Sequence, residues 1–209
     1  MERSSREWLV PLTGLLFIVL LIVSFVLIGE PKDADHPAPV ISAWYIDNKD
    51  SIEFGAFLTA IAGAVLIFYG AYLRKVLVAA EGPGAMLPIL VVIGLAIVAV
   101  SAAIDSTLLF ANAEAADDVP PSAIQAVQVI WDNDFVPFIL GVIVFLWSAG
   151  LSVLRSGALP KWVGWAAIVF GVVGLAGPIS FFAAPASALW IIVTSILLSM
   201  RARSAPATA

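Results

Sequence analysis

Residues 162–200 read WVGWAAIVFGVVGLAGPISFFAAPASALWIIVTSILLSM, 39 residues without a charge. How many times this stretch crosses a membrane decides the fold. At 1.5 Å per residue, two crossings of a hydrocarbon core ~30 Å thick need about 40 residues. Pro178 and Pro185 interrupt the run, and an internal proline breaks or kinks a helix. The stretch therefore predicts two slightly short spans, residues 162–178 and 184–200, joined by a minimal turn near the two prolines.

Upstream lie four more apolar runs, at about residues 8–28, 54–73, 86–110 and 135–154. The chain of 209 residues is 62% apolar and 12% charged, with a mean hydropathy of +1.06. Soluble domains carry about 25% charged residues, so this chain lacks the charge to coat a water-facing surface. The first run follows Arg3 and Arg6 and resembles a secretory signal, but no small-x-small cleavage site precedes Glu30-Pro31-Lys32. An uncleaved signal-anchor helix is expected. The predicted fold class is all-α: an integral membrane bundle of six transmembrane helices with two short amphipathic helices in the outer loops. It forms a single domain over residues 1–200, followed by a flexible cytoplasmic tail, 201–209.

The basic residues test the count. With the amino terminus in the cytoplasm, Arg3, Arg6, Arg74, Lys75, Arg155, Lys161, Arg201 and Arg203 lie inside, and only Lys32 and Lys49 lie outside. That distribution follows the positive-inside bias, whereas five spans would export Arg201 and Arg203. Both termini are expected in the cytoplasm of a cell-membrane protein. Trp8, Trp162 and Trp165 then mark the inner interface, and Trp44, Trp131 and Trp190 the outer one. The formal charge of −5 divides accordingly. Three acids accompany the eight inner bases, while eleven acids accompany the two outer ones. The inner face suits anionic lipid, and the outer face suits a cation or a basic partner.

Two outer loops, residues 29–53 and 111–134, begin acidic and proline-rich and then turn apolar. Val40, Ile41, Trp44 and Tyr45 recur at helical spacing in the first, and Ile124, Val127 and Trp131 in the second. Both segments end in Asp-Asn, at Asp47-Asn48 and Asp132-Asn133, before a span that closes on Arg74 or Arg155, as in a weak parallel repeat. Asp50 with Glu53, and Asp134 ahead of Pro137, have the pattern of helix N-terminal caps. If the loops meet, Asp47, Asn48, Asp132, Asn133 and Asp134 supply the oxygens of a calcium-type cation site, with Asp47, Asp132 and Asp134 as its metal ligands. A solvated acidic surface accounts for the same residues.

Asp105 is the ionisable residue well inside a predicted span. Ser101 and Asp105 stand 7 and 11 positions from Gly94, returning within ~20° of it around a helix. This small, polar stripe should face protein. At roughly 7–8 Å below the outer end of its span, Asp105 is either a ligand or ion site or a carboxylate tying the helix to the outer surface. Further stripes, Gly141/Ser148/Ser152, Gly55/Thr59/Gly63 and Gly164/Gly171/Gly174/Gly177, allow close helix packing. Trp147 lies at mid-membrane depth, where its indole N–H calls for an internal polar partner or a ligand.

The chain has no cysteine and one histidine, His36, which removes thiolate chemistry and Cys/His metal sites. No nucleophile–base pair, Walker motif or basic nucleic-acid surface is present. No cofactor is expected.

At the entry to the fifth span the chain reads Arg155-Ser156-Gly157-Ala158-Leu159-Pro160-Lys161-Trp162-Val163-Gly164-Trp165. This Leu-Pro-basic-Trp element resembles one in small, uncharacterised polytopic membrane proteins of bacteria, a domain family of unknown function, over at most the final third of the chain. The resemblance implies a six-helix bundle and carries over no catalytic residue. The functional expectation is a non-enzymatic membrane protein: an accessory subunit, sensor or lipid- or ligand-binding bundle with a structured acidic outer cap. Its partners would be membrane lipid, a protein or second copy, or an outer cation, and not nucleic acid. The alternative is a small cation- or proton-linked transporter or channel using Asp105.

Overall fold

The computed structural model describes residues 7–176, 180 and 182–204. These are overwhelmingly helical, without strands among the described residues. A 3₁₀ turn, Glu7–Leu12, leads into α1 (Thr13–Ile28), followed by α2 (Ala38–Asp47), α3 (Lys49–Glu81), α4 (Leu87–Ala115), α5 (Pro121–Trp131), α6 (Phe135–Ser156), α7 (Lys161–Val173) and α8 (Ala183–Ser204). Proline sets several starts. Pro37, Pro120 and Pro160 hold extended backbone immediately before α2, α5 and α7, where their missing N–H groups are not needed.

Five stretches among the described residues are long and apolar enough to cross a membrane: Glu7–Ile28, Lys49–Glu81, Leu87–Ala115, Pro121–Ser156 and Ala183–Ser204. The fifth predicted span, residues 162–178, differs. α7 stops at Val173 after 13 residues, only ~20 Å of helix. Its end tightens, with Leu175 N–H donating to Val172 O (3.0 Å) and Ala176 N–H to Val173 O (3.1 Å), three residues back rather than four. Pro178 and Gly177 lie outside the described residues. Pro185 is no turn residue: it stands in the first turn of α8, where proline is tolerated. Of the expected tail, residues 201–204 are the last turn of α8, and residues 205–209 lie outside the described part.

Side-chain contacts define the two ends of the bundle. Glu7 pairs with Lys75, the Arg203 guanidinium lies 3.9 Å from the Trp8 ring centre, and Arg201 donates to the Ala158 carbonyl. The start of the chain, the lower part of α3, the α6–α7 turn and the end of α8 therefore share one end. At the other end α2 and α5 pack together, joined by hydrogen bonds described below.

Between the ends, small residues let backbones touch. A Cβ on Gly94 would lie 2.5 Å from the Phe145 nitrogen, and one on Gly141 2.9 Å from the Gly94 oxygen. Gly150 and Gly164 bring α6 against α7 in the same way, at 2.8 Å from the Gly164 oxygen. In lipid, such close packing replaces the hydrophobic effect as the force joining helices. α7 climbs beside α6 from Leu154, which meets Gly164, to Ile143, which meets Gly174. Polar groups between helices pair locally. Ser24 Oγ donates to Gly55 O (2.7 Å) and lies 2.6 Å from Thr59 Oγ1, while the Tyr69 hydroxyl lies 2.6 Å from Thr194 Oγ1.

Trp190 departs from its expected place at the outer interface. It is 3% exposed, stacks edge-on against Phe145 with ring centres 5.3 Å apart, and donates its indole N–H to Val163 O at 2.9 Å. The carbonyl it caps belongs to the first turn of α7, so this tryptophan joins α8 to α7 inside the bundle.

Candidate functional site

The capped end has its own apolar core, built from Ile28, Ile41, Tyr45, Ile52, Ala56, Leu109, Ala113, Ala116 and Ile124. α2 contributes Ile41 and Tyr45, one turn apart on the buried face. α5 contributes Ile124 and, one turn later, Gln128, fully buried although it is polar. A buried amide must find partners, and here it organises the cap.

The Tyr45 hydroxyl donates to Gln128 Oε1 at 2.6 Å. Gln128 Nε2 donates to Asp132 Oδ1 at 2.9 Å, and Asp132 Oδ2 accepts the Ala34 backbone N–H at 2.8 Å. Gln125 Nε2 donates to the carbonyls of Ala34 (2.8 Å) and His36 (3.0 Å), and Ser42 Oγ to Ala116 O (3.2 Å). A relay thus runs from α2 through α5 to the loop preceding α2. Burial pushes the Tyr45 hydroxyl up to about 12 from its ordinary 10; hydrogen bonding to Asn112 opposes the shift, and the charges of Asp132 and Asp105 add to it. Tyr45 is a neutral donor throughout the physiological range.

Three of the predicted cation ligands make bonds within the cap. Asn48 Nδ2 and Asn133 Nδ2 each donate to the carbonyl four residues back, Trp44 O and Val129 O, both at 2.8 Å. The two Asp-Asn dipeptides therefore finish α2 and α5 in the same manner. Both oxygens of Asp132 are taken within the relay. Asp47 is exposed, and Asp47, Asp132 and Asp134 form no group of converging ligand atoms among the described residues. The group that does converge is Asp33, Asp35 and His36, with ligand atoms within 4.8 Å of one another, and all three are exposed.

The capping expectation also fails. Asp134 occupies the residue before α6 without a side-chain capping bond, and neither Asp50 nor Glu53 caps α3. Only Asn48 separates α2 from α3, and its carbonyl already accepts the Ile52 N–H at 3.0 Å. Before α6, the backbone N–H groups of Asp132, Asn133 and Asp134 bond to carbonyls of α5.

Asp105 lies half-buried just beneath the cap, with the Trp131 indole beside it and the Asp134 carboxylate within electrostatic reach. Trp131 Nε1 is buried and makes no hydrogen bond. Ser101 is buried on the same face and returns its hydroxyl to Ile97 O (2.9 Å), so it is not committed to Asp105. Trp147, far from this group, packs its indole edge against Gly171; its buried N–H has no partner.

Sequence reading missed Tyr45, Gln125 and Gln128 as a unit. The available signal was two glutamines inside an otherwise apolar amphipathic helix. Comparison with protein families, characterised proteins and solved structures finds no match to this chain.

Proposed function

We propose that this is a non-enzymatic, multi-pass membrane protein whose α2–α5 cap is an extracytoplasmic docking platform for a cation or the basic surface of a partner. The observation that carries the reading is the Tyr45–Gln128–Asp132–Ala34 relay, which welds two short helices into one rigid lid. Around it Glu30, Asp33, Asp35, Asp47, Asp117 and Asp118 are exposed, giving the lid a predominantly acidic solvent surface. A preorganised charged surface attracts and orients a partner of opposite charge.

The same reading has six crossings, with both termini in the cytoplasm. Its support is the meeting of the chain's start, the α6–α7 turn and the end of α8 at the basic end. α7 then belongs to the return crossing. Against a transport route stands the layer of Leu66, Leu73, Leu77, Val91, Leu95 and Leu146 that fills the interior away from Asp105.

The chain lacks cysteine, so single cysteines at Ser122 and Ser204 report topology directly. Ser122 should label from outside intact cells and Ser204 only after permeabilisation; external labelling of Ser204 removes the six-span arrangement. For function, the wild type purified in mild detergent is compared with a variant carrying Asp33→Asn, Asp35→Asn, Asp117→Asn and Asp118→Asn. A cation or basic protein retained by the wild type and lost from the variant is expected. Equal retention refutes the platform. In proteoliposomes, cation or proton flux abolished by Asp105→Asn would select the transporter instead.

A further inference from the structure

At the basic end, the α6–α7 turn and the last turns of α8 enclose a cleft of about 360 Å³, lined by Gly157, Leu159, Pro160, Leu197 and Arg201. Three of these walls are apolar and one residue is cationic; among the described residues no acid lines the cleft. Gly157 ends α6 in the left-handed region (φ 67°), and a Cβ there would meet nothing within 4 Å, so the rim is open. Arg201 is exposed and donates to the Ala158 carbonyl, which fixes the guanidinium at the cleft. A guanidinium has five N–H donors in a rigid fork, so most remain free for an oxyanion. Exposed Trp162 and Trp165, in the first turns of α7, are the residue type that settles at headgroup level.

We infer that this cleft binds an anionic phospholipid, with its phosphate on Arg201 and an acyl chain along Pro160 and Leu197. The inference rests on the membrane reading above. Apolar walls beside a fixed guanidinium match an amphiphile; a free anion has no use for them. Exposed Arg155 and Lys161, at either end of the same turn, add positive potential that draws anionic lipid to this end.

The test uses the full chain in mild detergent, with phosphatidylglycerol and phosphatidylcholine as probes and bound lipid counted by native mass spectrometry. Phosphatidylglycerol should be retained preferentially, and Arg201→Gln should lower its retention about fivefold while leaving phosphatidylcholine unchanged. Arg201→Lys, which keeps the charge, should retain most of the binding. Leu197→Trp, which fills the cleft without touching a charge, should also lose it. Circular dichroism identifies any variant that fails to fold; the remaining variants then decide. Unchanged preference in folded Arg201→Gln or Leu197→Trp overturns the inference, as does displacement of the lipid by inorganic phosphate. Failure of the membrane reading is separately visible as release of the wild type from membranes by alkaline carbonate.

Discussion

The cap and the middle of the bundle are joined by different physics. In the cap, Tyr45 reaches Gln128 and Asp132 reaches Ala34, partners separated by 83 and 98 residues. These bonds close over an apolar core that water would otherwise reach, so hydrophobic burial and hydrogen bonding act together. In the middle, α4 and α6 meet backbone to backbone at Gly94 and Gly141, and most hydroxyls return to their own helix, as Ser101 does to Ile97 and Ser148 to Val144. Lipid is as apolar as leucine, so close packing is what joins helices there. The cap is thereby an apolar core closed by a few specific polar contacts, and the bundle an assembly held by shape.

The contrast is broken most severely at Gly94. Gly94→Ala places a methyl 2.5 Å from the Phe145 nitrogen, backbone that cannot rotate away, and should cost about 3 kcal/mol. Thermal denaturation in detergent should show the whole bundle destabilised. Gln128→Leu comes next, at about 2 kcal/mol, because it strands the Tyr45 hydroxyl and removes a donor from Asp132. Its effect should be confined to the cap, seen as faster proteolysis of residues 29–37 with α4–α6 intact. Uniform loss across both regions would show that they are not separable. Tyr45→Phe is milder, about 1 kcal/mol, since it removes one hydrogen bond and keeps the ring.

Tyr45 also gives the cap an alkaline limit. Its folded value of about 12 lies above the ordinary 10. Between these values the folded cap keeps a proton that the opened cap has released, so stability falls as pH rises. The contribution is complete below pH 10 and is lost through about 12. Spectrophotometric titration of the wild type against Tyr45→Phe should assign one tyrosine ionising near 12, and the variant should lack this component of alkaline destabilisation. A difference centred near 10 would mean that the hydroxyl is solvated and the relay open.

Several features were readable from local pattern alone. The Gly94/Ser101/Asp105 stripe faces protein because residue spacing fixes side-chain direction on a helix. The Asp-Asn dipeptides mark the ends of α2 and α5, where each asparagine Nδ2 donates to a carbonyl of its own helix. Other features depended on a remote partner. Trp190 carries the composition of an interface anchor, yet Val163 O and Phe145 draw it inside. Gln128, polar in an otherwise apolar segment, is buried because Tyr45 and Asp132 take its amide. Trp147 was expected to need a polar partner, and packing against Gly171 took precedence.

By itself the sequence determined that the chain is helical with uncharged runs long and apolar enough to cross a membrane, and their periodicity places small residues on one side of each helix. Tertiary structure alone decided which helices those small faces meet, where α7 stops, and that the two outer segments form one cap. Hydropathy and periodicity act over a turn or two of helix. The satisfaction of a buried polar group is settled by whichever residue arrives opposite it, and for Tyr45 that residue is 83 positions away.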